Sequence, residues 1–119
     1  MRTVLQAVIE NARVTNPTES LALRLDPYIV RAGDLQPYER VEVINGRERY
    51  STWIEPGVEG SGEVHFNARI GDVIAIVAYT DLHEGQTIAH QPKIVTLDAK
   101  NRVTSVILSR QDGEGSRST

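Results

Sequence analysis

The 119-residue chain contains no cysteine, which removes disulfides, thiolate nucleophiles and cysteine-based metal sites together. It has no excess of basic residues either. Its formal charge of −3 argues against a dedicated nucleic-acid surface, which needs clustered Lys and Arg. No apolar run approaches the roughly 20 residues that span a bilayer, so no membrane partner is expected. A signal-peptide core is not expected, because Arg2, Gln6, Glu10 and Arg13 interrupt the N-terminus. His65, His83 and His90 lack metal-ligand spacing. The glycines of Pro56–Gly62 match no phosphate-binding pattern, since no helix start follows them. A cytoplasmic protein with no bound cofactor and no metal is the expectation.

What is present is ordinary globular composition, 39% hydrophobic and 24% charged, enough for one packed core. A chain of this length buries about two-thirds of its unfolded surface. Residues 1–110 read as one domain. Gln111–Thr119 has almost nothing to bury and reads as a disordered tail.

The central signal is Gly33–Trp53. Pro37 marks a connector, because it has no N–H to give. Val41, Val43 and Ile44 around Glu42 read as a half-buried strand. Asn45-Gly46 is a hairpin turn, and Arg49–Trp53 is the returning strand.

Residues 2–15 predict one long strand, ended by the turn Asn16-Pro17-Thr18. Leu21, Leu23 and Leu25 alternate with Ala22 and Arg24, as a strand requires. Asp26-Pro27 is an N-cap with Pro at the first helical position, so Pro27–Ala32 is a short helix with Gly33 as its C-terminal stop. Short strands follow at Glu63–Asn67, Val73–Tyr79, Ile94–Leu97 and Val103–Leu108; Val73–Tyr79 should be the most buried. Asp81–Gln91 is polar and loop-like. Many short strands with one short helix predict a mainly-β fold, a small β-barrel.

Pro37-Tyr38-Glu39-Arg40-Val41, Asn45-Gly46 and Arg49-Tyr50-Ser51-Thr52-Trp53 resemble the pattern P-Y-E-K-V…N-G-x-R-x-x-T-Y of pyruvoyl-dependent aspartate 1-decarboxylases. Met1–Gln6, Arg13-Val14-Thr15 and Ile70–Ile74 resemble further strands of that family, in order, over residues 1–105. The resemblance implies a six-stranded double-psi β-barrel with one or two short helices, assembled as a homo-tetramer. It also implies a self-made cofactor: a serine attacks the preceding backbone carbonyl, the chain breaks, and the serine becomes a pyruvoyl group.

The residues depart from that pattern at several places. Counting back from Asp26, Leu21-Ala22 stand where the family has Gly-Ser, so no hydroxyl follows the scissile carbonyl. The nearest serine is Ser20, after Glu19. Val8 and Glu10 replace a Lys and a His on the first strand, and Trp53 replaces the tyrosine proton donor. The Asn and Gly-Ala-Ala cover shrink to Asn67-Ala68-Arg69-Ile70.

Arg49 keeps the substrate-carboxylate position. The expected site is therefore Glu10 and Arg49 as catalytic groups, with Val8, Trp53, Asn67 and Tyr79 binding substrate. Each has a plainer role available: Arg49 a surface cation of the hairpin, Trp53 a core residue, Glu10 a solvated strand carboxylate, Tyr79 a cap on its strand. The departures predict a wider and more apolar pocket. The expected function is a cofactor-free cyclase or isomerase that orients a hydrophobic natural-product intermediate, such as a polyketide or polyether precursor. The alternatives are an aspartate 1-decarboxylase cleaved instead at Ser20, and a non-catalytic small-molecule-binding barrel.

Overall fold

The computed structural model describes residues 2–83 and 90–108. Nine strands and one helix are present among them: β1 (Arg2–Arg13), β2 (Asn16–Pro17), β3 (Leu23–Leu25), α1 (Pro27–Ala32), β4 (Arg40–Asn45), β5 (Glu48–Pro56), β6 (Val64–Phe66), β7 (Val73–Leu82), β8 (Lys93–Leu97) and β9 (Val103–Leu108). They form one curled sheet in the order β2-β6-β3-β5-β4-β7-β1-β8-β9. The mainly-β architecture and the single short helix are as expected. The sheet has more strands than six because pieces of two and three residues join it. The expected tail, 111–119, lies outside the described residues.

The curl is built around β1, which pairs antiparallel with β7 and parallel with β8. Its pairing with β7 shifts between Leu5 and Ala7 and again between Ile9 and Ala12. Asn11 sits in the second shift with φ 68, and its side-chain amide donates to the Leu97 carbonyl at 2.8 Å. Extra residues of this kind bend a strand and raise its twist, which closes a sheet toward a barrel. The concave side holds the core, including Ile9, Leu25, Ile54, Ile74, Ile76 and Leu97, all at most 1% exposed. Each such side chain contributes about 1.5–3 kcal/mol of burial.

One local expectation is corrected and two are refined. Asn16-Pro17 is not a turn: it pairs parallel with β6, Asn16 opposite His65 and Pro17 opposite Phe66. Edge position explains this, since Pro there sacrifices no ladder bond. Gly33 ends the helix as expected, but without the left-handed conformation that such a glycine commonly takes. Its φ is −87 and Asp34 takes the positive value, 62; a Cβ at Gly33 would meet Leu35 and Ala7 side-chain atoms at 3.4–3.7 Å. In the hairpin Asn45 pairs with Glu48, so the two loop residues are Gly46 and Arg47. Gly46 has φ 64 at the first loop position, where a II′ turn places glycine.

Two buried polar side chains fasten the turns below α1. The Asp26 carboxylate accepts backbone N–H bonds from Tyr28, Gly60 and Gly62 at 2.9–3.0 Å. Asn101 accepts from Arg13 N and donates to the carbonyls of Arg13 and Gly62, each at 2.8 Å. Among the described residues no helix is long and apolar enough to cross a membrane, which leaves membrane-spanning by strands unaddressed.

Candidate functional site

The segment between β2 and β3 is neither strand nor helix, and its backbone is held by side chains. Thr18 N–H donates to the Phe66 carbonyl at 3.1 Å. Ser20 N–H donates to Thr18 Oγ1, and Ala22 N–H donates to Ser20 Oγ, both at 3.1 Å. These are the short-range hydroxyl turns that Ser and Thr favour. The Thr52 hydroxyl, from β5, donates to the carbonyl of Leu21. Thr52 is 4% exposed and the Leu21 side chain is 73% exposed. The core strand therefore grips a peptide carbonyl whose side chain points to solvent.

Beside this loop lies a cavity of about 190 Å³ lined by Thr18, Ser20, Ala22, Arg24, Glu55 and His65. Arg24 Nη2 is 3.8 Å from Glu55 Oε1, across its mouth. His65 Nε2 is 3.0 Å from Glu63 Oε1. His65 is the central residue of β6, whose neighbours Val64 and Phe66 point into the core. Strand alternation sends His65 the other way, toward the cavity.

The residues picked out in the sequence are distributed over four places. Trp53 donates its indole N–H to Glu55 Oε2 at 3.3 Å, so it reaches the Ser20 cavity through that carboxylate. Arg49 pairs with Glu42 at 3.3 Å. Glu42 and Tyr79 line a second, wider cavity of about 460 Å³ with Thr3, Arg40, Ser51 and Asp81. Neither Arg49 nor Trp53 is among the residues lining these two cavities. Glu10 is exposed on β1 and accepts from Thr96 Oγ1 at 3.4 Å, while Val8 sits half-buried between Val77 and Ile94. Asn67 is exposed just beyond β6. Two residues central to the loop, Thr52 and His65, are absent from the sequence-based site. Thr52 falls inside the Arg49–Trp53 motif, and His65 carries no sequence signal beyond its lack of metal-ligand spacing.

A curled sheet of short strands that closes toward a barrel, with one short helix, defines the class as a small β-barrel protein. A family model described as "Aspartate decarboxylase" matches residues 1–104, and this chain belongs to that family. It is 32% identical over 116 residues to an aspartate 1-decarboxylase of Listeria monocytogenes, covering 89% of this chain and 91% of that one. It is 30% identical over 122 residues to the aspartate 1-decarboxylase of Staphylococcus epidermidis (94% and 95%) and 30% over 116 residues to that of Shouchella clausii (89% and 91%).

These relatives are enzymes, and none of those named here is a cyclase. The expectation of a cyclase or isomerase for polyketide-type intermediates is therefore overturned. It took lost residues as a sign of a new reaction, whereas near-full-length similarity points to the decarboxylases.

Proposed function

We propose that this protein decarboxylates a small acidic amino acid, aspartate or a near homologue, after breaking its own chain before Ser20. The supporting observation is that Ser20 lines the cavity shared by His65, Arg24 and Glu55, within the loop whose Leu21 carbonyl Thr52 holds. The names of the relatives support the reaction class.

The residues fit a pyruvoyl group at position 20 and not at position 22. Ala22 offers no hydroxyl after the carbonyl that Thr52 grips. Ser20 carries a hydroxyl after a different carbonyl, that of Glu19, and its oxygen accepts a hydrogen bond from Ala22 N, which leaves its proton to be donated. Once formed, a pyruvoyl group supplies a carbonyl that takes up the substrate amine and withdraws the electrons released with carbon dioxide. The chain's own groups do the rest. Arg24 presents five donors to a substrate carboxylate, and Glu55, 3.8 Å from it, orients the guanidinium.

The intact mass under denaturing conditions tests this directly. The expected outcome is two species, residues 1–19 and a larger fragment with a blocked residue 20, together with carbon dioxide release from aspartate. A single species at 13.2 kDa, with no release, would overturn it. One observation favours a second reading, an unprocessed barrel that only binds its small acidic ligand: the gripped Leu21 carbonyl is followed by alanine. In that case a single mass is accompanied by saturable aspartate binding that Arg24→Ala abolishes.

A further inference from the structure

We propose that Glu63 and His65 form a proton relay that drives chain cleavage at Ser20; this rests on the processing site assigned above. Three independent placements converge on it. The first is topological. β6 lies between β2 and β3 in the sheet, with His65 opposite Asn16 on one side and Arg24 on the other. Ser20 is four residues after the first and four before the second, so its loop must pass over the end of β6. The Thr18 N–H to Phe66 carbonyl bond fixes that crossing.

The second placement is orientation: His65 faces away from the core and lines the same cavity as Ser20. The third is chemical. Glu63 occupies His65 Nε2, so an N–H there donates to the carboxylate and the other ring nitrogen, Nδ1, carries a lone pair. Ser20 Oγ accepts from Ala22 N and has its proton to give. A hydroxyl, an imidazole and an orienting carboxylate are the three parts of an activated nucleophile.

The step balances without an outside oxidant. The Ser20 Oγ proton passes to His65 Nδ1 as Oγ bonds to the Glu19 carbonyl carbon. The Glu19–Ser20 C–N bond then breaks, and the proton returns to the departing nitrogen, leaving an ester of Glu19 on Ser20 with no atom gained or lost. His65 Nδ1, free again, takes the Ser20 Cα proton and passes it to solvent as the Cβ–O bond breaks, which releases Glu19 as a carboxylate and leaves an enamine at position 20. One water then replaces the nitrogen, which leaves as ammonia. Thr18 Oγ1 holds the Ser20 N–H throughout the first step and so keeps the peptide aligned.

The test follows the intact mass of freshly purified protein over time for the unaltered chain, Ser20→Ala, His65→Gln, Glu63→Gln and His65→Ala with added imidazole. Thermal melting of each variant confirms that it is folded. The unaltered chain is expected to convert to fragments 1–19 and 20–119, Ser20→Ala to stay whole, and His65→Gln to convert at least about 100-fold more slowly, as for loss of a general base. Glu63→Gln slows conversion less, and imidazole restores it in His65→Ala. If folded His65→Gln cleaves at the unaltered rate, the relay is wrong while cleavage at Ser20 stands. If the unaltered chain never cleaves, the processing site itself is wrong and the relay falls with it.

Discussion

Two polar clusters in this molecule behave oppositely. Around Asp26 and Asn101, both under 4% exposed, side-chain oxygens and an amide are consumed by six backbone partners. Around Ser20 and His65, the groups are half open to a cavity and joined by single bonds. The first cluster is saturated and so can only hold turns together. The second keeps donors and acceptors in reserve, which is what chemistry requires. The difference shows that polar residues alone do not mark a site; unspent hydrogen-bonding capacity beside a cavity does.

The largest effect should come from the saturated cluster. Asn101→Ala removes three hydrogen bonds and strands Arg13 and Gly62 backbone groups. It should cost about 3 kcal/mol, read as a lower denaturation midpoint with unchanged slope. Gly62→Ala probes the same junction, because a Cβ there would lie 2.7 Å from the Lys100 carbonyl at φ +70; a clear loss of stability in melting is expected. Thr52→Val breaks only the bond to the Leu21 carbonyl. It should cost about 1 kcal/mol, while markedly raising protease cutting within residues 18–22. An equal drop for Thr52→Val and Asn101→Ala would erase the contrast between the clusters.

The smallest effect is electrostatic. Asp72 is held below the usual aspartate range by the Asn45 side-chain amide and then by Arg69 N–H. Asp98 is lowered by the backbone N–H groups of Arg102 and Lys100. A depressed carboxylate stabilises the fold above the unfolded-chain value near about 4 and gives that up as pH falls through its own lower value. Melting temperature should therefore be flat from neutral pH down to about 4 and decline below it. Asp98→Asn should flatten part of that decline.

Much of the fold was legible because its signals are local. Asp26-Pro27 wrote the helix start, and the observed helix, Pro27–Ala32, and last strand, Val103–Leu108, have the expected bounds. The Asn16–Pro17 strand was hidden because its partner, β6, is almost fifty residues away. Asn11 gave no sign of a shifted register, which pairing with β7 alone sets. The site was legible in one respect, that Ala22 stands where a hydroxyl was needed. Its other half was not, because Thr52 and His65 acquire their roles only through the order β2-β6-β3-β5. Spacing along the chain carries no record of a parallel crossover.

The position of β6 between β2 and β3 has a consequence for the chain as a polymer. A break anywhere in residues 18–22 leaves new ends on either side of a strand that still pairs with both flanks. The amino-terminal piece also contributes β1, paired along both its edges in the middle of the sheet. Such a nicked molecule is a two-chain complex from the moment it forms, and its pieces cannot separate without unzipping β1 from both its neighbours. The same loop is thus the natural place to split this protein into complementing fragments or to open it for circular permutation.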